Sequence, residues 1–354
     1  MSNSLFYKQK PLFGLDIGLR TIKIAQVAES KDGVEVVGYG YTSFDPAAIV
    51  DGQVTKPELI VSALKSLLDQ TVIGKISTNR IAVSIPTAQI FARAITLPKL
   101  SGEDLKTAIR MQAEQYVPLP PDQVYLDYVI SKDADKNSDE VLALIVATPK
   151  KTVDSYMALF DQLNLEVETV EPNLSAIVRA VNYSLGNKKP KVIIDFGAES
   201  SDLAIYDQGL QLIGTVDMGG SHITKKIAET LGIDIHQAQK IKNRYGITAS
   251  KWQGQLTSAL SPILNSLATE VQKMLRYHHE HSKFDQPIEE VVIVGGGASL
   301  PGMSDFIAHL TGITVSACDP WSNIKVSPLQ PPHKNEVSLY TTAVGLALRE
   351  VASD

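Results

Sequence analysis

A chain of 354 residues is long enough for two or more domains, and 44% apolar with 20% charged residues is the composition of a folded globular protein. A net charge of −6 argues against a nucleic-acid surface as its main business, and the single cysteine, Cys318, excludes an internal disulfide and points to a reducing cytosolic setting. No apolar run reaches membrane-span length and Met1–Lys10 lacks the apolar core of a signal peptide, so work at a membrane is expected to go through another protein.

The chain opens with strands at 12–28 and 34–43, joined by the turn Ser30-Lys31-Asp32-Gly33. The first of these is interrupted by a tight turn, with Asp16 and Gly18 at its tip and Lys23 just beyond. Lys56–Asp69 has helical spacing, and Arg80–Ile85 is a strand ended by Pro86. A compact unit follows. It reads as a strand at Ile90–Leu97, a helix at Ser101–Gln115, strands at Val124–Ile130 and Val141–Thr148, and a helix at Lys151–Leu163. Ser101 is expected to cap the first helix with Asp104 reaching back, and Val117-Pro118-Leu119-Pro120-Pro121 stops it. Asp133–Asp139 reads as a polar, solvated turn.

The strand Val167–Val170 comes next, and Glu171-Pro172 is expected to open a helix running through Val181. Strands then recur at Lys191–Asp195, Asp202–Tyr206 and Leu210–Asp217. Helices are predicted at Ile223–Leu231, Ile235–Tyr245 and Gln255–His281, the last with an apolar face through Leu260, Leu264, Leu267 and Val271. His278, His279 and His281 lack the i, i+4 spacing of a helical metal site and are not assigned to one. The strand Val291–Val294 runs into Gly295-Gly296-Gly297, a helix covers Pro301–Leu310, Lys325–Asn335 is a proline-rich loop, and Ser338–Leu348 is a helix of small residues.

The opening pattern occurs twice. Gly14-Leu15-Asp16-Ile17-Gly18 aligns with Ile193-Ile194-Asp195-Phe196-Gly197, each followed by a strand, a turn and another strand. One such hairpin is an ordinary turn. Two, each in its own α/β half, describe a cleft between related halves. Each tip offers consecutive backbone N–H groups to a phosphate, and each Asp faces a hydrated Mg²⁺ from its own side. Phosphoryl chemistry needs mainly positioning, a metal and a placed water, so few side chains suffice.

These residues resemble the actin-like ATPase superfamily of actin, heat-shock chaperones, MreB, FtsA and sugar kinases. Asp16-Ile17-Gly18-Leu19-Arg20-Thr21 through Lys23 is similar to its first phosphate motif, and Asp195-Phe196-Gly197-Ala198-Glu199-Ser200 to its second. Glu171-Pro172 is similar to the opening of its first connecting helix, where a Glu positions the attacking water. Gly295, Gly296, Gly297 and Ala298 resemble the adenosine motif, and Thr342–Ala347 the second connecting helix, whose small residues allow close crossing. Gly219 and Gly220, with Gln239 at the ribose position and Lys242 one turn on, complete the nucleotide contacts that the resemblance implies. Asp16 and Asp195 are the implied Mg²⁺ acids, acting through water, and ATP is the implied ligand. Three departures stand out: Leu19 where relatives offer a Ser hydroxyl, Ala198-Glu199 where they carry an acid and a Gly, and Gln239 where many have a Glu. Together they point to slow or absent turnover.

Within the superfamily the chain resembles the PilM family of type IV pilus assembly proteins, with FtsA close behind. The resemblance rests on Thr96-Leu97-Pro98, the helix containing Glu103–Ile109, Tyr116-Val117-Pro118-Leu119-Pro120, and Glu270 with Leu275-Arg276-Tyr277. It implies an α/β actin-like ATPase fold with an FtsA-like inserted subdomain. The expected divisions are a first half at 12–85, 166–187 and 338–354, an insertion at 86–165, a second half at 190–221 and 289–337, and a helical subdomain at 222–288. It also implies a cytoplasmic protein that binds the N-terminal peptide of the inner-membrane protein PilN, meets further pilus assembly proteins, and is compatible with self-association. Leu97, Leu105, Ile109 and Tyr116 are the expected peptide contacts, although the same residues would equally serve as the insertion's own core. The alternatives are an FtsA-like division filament, disfavoured by the short polar ending Arg349–Asp354, and a sugar or acid kinase, for which no further catalytic acid presents itself.

Overall fold

A computed structural model describes residues 10–130, 139–186, 189–248, 253–282 and 286–351. Most of Met1–Lys10, most of the predicted turn Asp133–Asp139, and the last three residues lie outside them.

The first hairpin forms as its alternation predicts. Phe13–Ile17 pairs antiparallel with Thr21–Ser30, placing Asp16 opposite Lys23, and the Gly18 amide donates to the Thr21 carbonyl at 3.0 Å to close the turn. Gly33–Ser43 adds on the far side of Thr21–Ser30. On the near side, Arg80–Ile85 and then Glu166–Pro172 pair in parallel. Parallel strands are covered on both faces, and Arg80–Ile85 is accordingly buried at every position after Arg80.

The second sheet repeats this order. Lys191–Phe196 is flanked antiparallel by Ser201–Tyr206 and then Leu210–Val216, and in parallel by Glu290–Val294 and then Thr314–Ala317. Gly197 donates to the Ser200 carbonyl at 3.0 Å, the same closure that Gly18 makes. The sequence repeat is therefore a repeat of topology.

A third, three-stranded sheet stands apart, in the order Phe91–Pro98, Glu140–Pro149, Val124–Ile130. Its core is closed by the helix Gly102–Glu114 through Ile109 and Ala113. Ser101 precedes that helix in extended conformation and makes no side-chain cap, so the expected capping box does not form. Asp104 still lies in the first turn, where the helix dipole favours an acid.

The remaining helices are named α1 (Pro57–Ser66), α2 (Gly102–Glu114, above), α3 (Lys150–Gln162), α4 (Asn173–Leu185), α5 (Gly220–Leu231), α6 (Ile235–Tyr245), α7 (Gln253–His281), α8 (Met303–Thr311) and α9 (Thr341–Ala347). α7 packs Leu256, Leu260, Leu264, Leu267 and Val271 against the second sheet, the apolar face its spacing predicts. α4 carries the chain from the first sheet to the second and crosses α9 at backbone contact: a Cβ on Gly345 would collide with the Ala176 carbonyl, and one on Gly14 with the Ala343 carbonyl. Small residues permit both approaches. Glu171 and Pro172 finish a strand rather than open α4, because Pro172 is extended (ψ 140°) and α4 begins at Asn173.

Candidate functional site between the two hairpin turns

The two glycine turns face one another. Arg20, at the tip of the first, donates through Nε and Nη2 to Glu199 Oε1 at the tip of the second, at 3.2 and 3.1 Å. The turn residues Leu19, Arg20, Ala198 and Glu199 lie outside strands and helices, and among the described residues their amides have no backbone partner. Gly219 presses onto the second turn, where a Cβ would clash with Ala198 and Glu199, and the N-terminus of α5 opens beside it at Gly220. Ser221 donates its amide to the Ala198 carbonyl at 2.7 Å. Two nests and a helix N-terminus thus converge, the backbone arrangement that suits an anion.

Acids and cations line the floor. Asp16 accepts from Lys23 Nζ at 2.9 Å and from Ser84 Oγ at 3.2 Å. Asp195 lies near enough to Asp16 and Lys23 to feel both charges. Burial, then the carboxylates of Asp202 and Asp16, push its pKa up to about 7, against the pull of Lys23 and a hydrogen bond from Asn173. Lys242 of α6 donates to the Gly220 carbonyl at 3.0 Å, and burial, followed by the neighbouring Arg20, lowers its pKa to about 8. Arg20, Lys23 and Lys242 therefore gather positive charge around two acids. Among the described residues no group of three or more His, Cys, Asp or Glu could hold a metal unaided. Asp16 and Asp195 fit Mg²⁺ only as partners to water and phosphate oxygens.

The other expected nucleotide residues occupy one border of this space. Gly295 has φ 77°, and a Cβ there would sit 2.5 Å from Asp195 Oδ1. Gly297 packs on the Phe196 ring, whereas a Cβ on Gly296 would make only ordinary contact with Leu339 at 3.8 Å, and Ala298 comes next in the same short 3-10 turn. Gln239 Oε1 accepts from Thr224 at 2.8 Å and its Nε2 donates to Asn243 at 2.9 Å, so this amide braces α5 against α6. Thr21 and Ser200 supply the carbonyls that close the turns.

A family model described as type IV pilus assembly protein PilM matches residues 14–351. The chain belongs to the PilM family. A solved PilM–PilN type IV pilus biogenesis complex is 20% identical, with a TM-score of 0.82 over 96% of this chain and 98% of that one. MreB 5 of Spiroplasma citri bound to AMPPNP is 11% identical, with a TM-score of 0.55 over 98% of each chain. Among curated proteins, cell division protein FtsA of Streptococcus pneumoniae serotype 2 (strain D39 / NCTC 7466) is 21% identical over 341 residues, 85% of this chain and 74% of its own length. The fold of this PilM-family chain is accordingly the actin-like ATPase fold, and it is a pilus assembly protein of that architecture. Among the described residues no helix is long and apolar enough to cross a membrane.

Two expectations drawn from the resemblance need correction. Glu171 does not present a free carboxylate for a water: Oε1 and Oε2 accept from Arg179 Nη1 and Nη2, both at 2.8 Å, and Oε2 also accepts from Arg349 at 3.0 Å. Arg179 also donates to the Gly345 carbonyl at 2.7 Å, so Glu171 clamps α4 to α9. Asn173, two residues on, is the side chain that reaches Asp195. Leu97, Leu105, Ile109 and Tyr116 do not line an open groove. Leu97 and Ile109 are 6% and 1% exposed, and Leu105 and Tyr116, partly buried, pack against the same core between α2 and its sheet. An apolar residue on a small sheet is drawn first to the helix that covers it. Asn173, Asp202, Ser84 and Thr215 carried no signal in the sequence beyond being polar residues near strand ends.

Proposed function

We propose that this PilM-family protein binds Mg·ATP in the cleft between its two α/β halves, and that it uses nucleotide state to adjust its grip on the N-terminal cytoplasmic peptide of PilN. The observation that carries the nucleotide reading is the meeting of two equivalent glycine turns, each with its own Asp, around the cations Arg20, Lys23 and Lys242. The turn amides and the α5 N-terminus would hold the phosphates, Lys23 and Lys242 would neutralise them, and Gly295–Ala298 would lie along the adenosine. Bound Mg²⁺ would supply charge neutralisation at the β- and γ-phosphates, with Asp16 and Asp195 orienting its waters. Glu171 is held by two arginines and Leu19 offers no hydroxyl, which supports slow turnover over rapid hydrolysis. On this reading the halves, insertion and helical subdomain divide at about residues 86, 166, 190, 222, 289 and 338, although α3 packs Tyr156, Leu159 and Phe160 into the core of the first half and Ile324–Lys325 pairs with Gly33–Ser43 of the first sheet.

The PilN reading is supported by family membership and by the solved PilM–PilN complex. On it the protein works in the cytoplasm and reaches the inner membrane through its partner, in company with other pilus assembly proteins. Calorimetry of Mg·ATP with the wild type and Asp195→Ala tests the cleft: binding is expected in the first and at least about tenfold weaker in the second, the loss of one charged contact. Equal affinities would overturn the assignment. Retention of the protein on immobilised PilN N-terminal peptide, with and without Mg·ATP, tests the partner.

A further inference from the structure

Asn173 uses every hydrogen-bonding position of its side chain. Its Nδ2 donates to Asp195 Oδ2 at 2.9 Å and to Asp202 Oδ2 at 3.3 Å, while its Oδ1 accepts from the Thr87 amide at 2.8 Å and from Thr87 Oγ1 at 2.5 Å. It is buried, at 7% exposure. The three sites it joins are distant in sequence. Asp195 and Asp202 face each other across two strands of the second sheet, Asn173 begins α4, and Thr87 directly follows Pro86, where the chain leaves the first sheet for the inserted subdomain. Asp202 is fixed in turn by Thr215 Oγ1 at 2.7 Å.

A neutral amide is well suited to this place. Two carboxylates side by side repel, and one N–H to each offsets part of that repulsion. Its carbonyl end is saturated by one residue, so the amide cannot turn to follow Asp195 without releasing Thr87. A displacement at either end is felt at the other.

We propose that Asn173 is the positioning residue of the cleft, holding Asp195 toward the metal side, and that it couples movement of Asp195 to Thr87 and so to the base of the inserted subdomain. The nucleotide-driven part of this proposal rests on the cleft being the Mg·ATP site. The link between Asp195 and Thr87 does not.

Hydrogen exchange read by mass spectrometry tests both parts on the full chain. Without nucleotide, Asp195→Ala is expected to speed exchange of the Thr87 amide by about threefold or more, because the amide that accepts its bond is no longer held. Unchanged exchange there overturns the link. With Mg·ATP, the wild type is expected to change its exchange over Thr87–Ile90, and Asn173→Ala to lose that change while folded. Thr87→Val, which removes the hydroxyl's bond to Asn173 and leaves the amide's, is expected to weaken the change too and serves if Asn173→Ala does not fold. Gln26→Ala removes another buried amide, one bonded to Ser77, and is expected to keep the full response. A response that survives in Asn173→Ala and Thr87→Val overturns the coupling. If calorimetry finds no Mg·ATP binding to the wild type, the cleft reading falls, and the nucleotide-free comparison still decides the link.

Discussion

Arg20 and Glu199 stand 179 residues apart in the chain and meet at 3.1 Å, tip to tip, across the cleft. Each belongs to the turn that closes one of the two repeated hairpins. A phosphate entering between the turns would compete with Glu199 for Arg20 and would meet the Glu199 charge. Glu199→Gln is therefore expected to tighten Mg·ATP by up to about fivefold at low salt, the upper end for an exposed ion pair of about 0.2–1 kcal/mol. Calorimetry at two salt concentrations checks this, with the gain shrinking as salt rises. Weaker binding in the variant would mean that Glu199 holds the ligand rather than guarding against it.

The features legible in the sequence were those written locally. Asp16 and Gly18 announce their turn within a few residues, as do Asp195 and Gly197, and aligning the two gave the paired halves. Asn173 was not legible, because its meaning depends on Thr87, 86 residues earlier, and on Asp195, 22 later. Glu171 was read from its neighbour Pro172, whereas Arg179 and Arg349 decide what its carboxylate does. Leu97 and Ile109 were legible as apolar positions, but spacing alone does not say whether such a face meets the domain's own helix or a partner. The strand Thr314–Ala317 escaped because four residues are too few to show alternation.

Asp195 gives the protein a pH signature. Its pKa in the folded protein, about 7, stands above the ordinary 3.8. The fold therefore keeps this proton where the unfolded chain has lost it. The contribution to stability is complete below the ordinary value and is lost as pH rises through about 7. Asp195→Asn has no such proton to lose, so its thermal midpoint relative to wild type is expected to climb between pH 5 and about 8 in nucleotide-free protein. Parallel midpoints would show that the carboxyl titrates normally.

Glu171→Gln separates a clamp from a catalytic role. It leaves Arg179 and Arg349 without their charged acceptor and is expected to cost about 1–3 kcal/mol in denaturant unfolding. Mg·ATP affinity should stay within about twofold of wild type, since neither arginine reaches the turns. A stable variant with abolished turnover would restore Glu171 to the chemistry.

Gly345→Ala reverses a familiar rule. Replacing a helical glycine by alanine ordinarily stabilises a helix by about 1 kcal/mol. Here the new methyl would meet the Ala176 carbonyl, so α4 and α9 must part, with an expected loss of about 1–3 kcal/mol. Thermal unfolding reads the sign directly.

Ile109→Ala tests the insertion's core. Removing this buried side chain is expected to cost about 2–4 kcal/mol locally, and limited proteolysis should then cut first within residues 86–165. Cleavage rates matching the wild type would mean that Ile109 supports nothing.

The crossing of α4 and α9 has a mechanical meaning. α4 takes the chain from the first sheet to the second, and α9 returns it to lie on Gly14 of the first. The two passages come to backbone contact where Gly345 meets Ala176, with no side chain between them. Arg179 pins the same spot by holding the Gly345 carbonyl and Glu171 together. A crossing this close, pinned by one arginine, resists sliding more than swivelling. Any opening of the halves would then be a rotation about this fulcrum, with the distant glycine turns sweeping the longest arc.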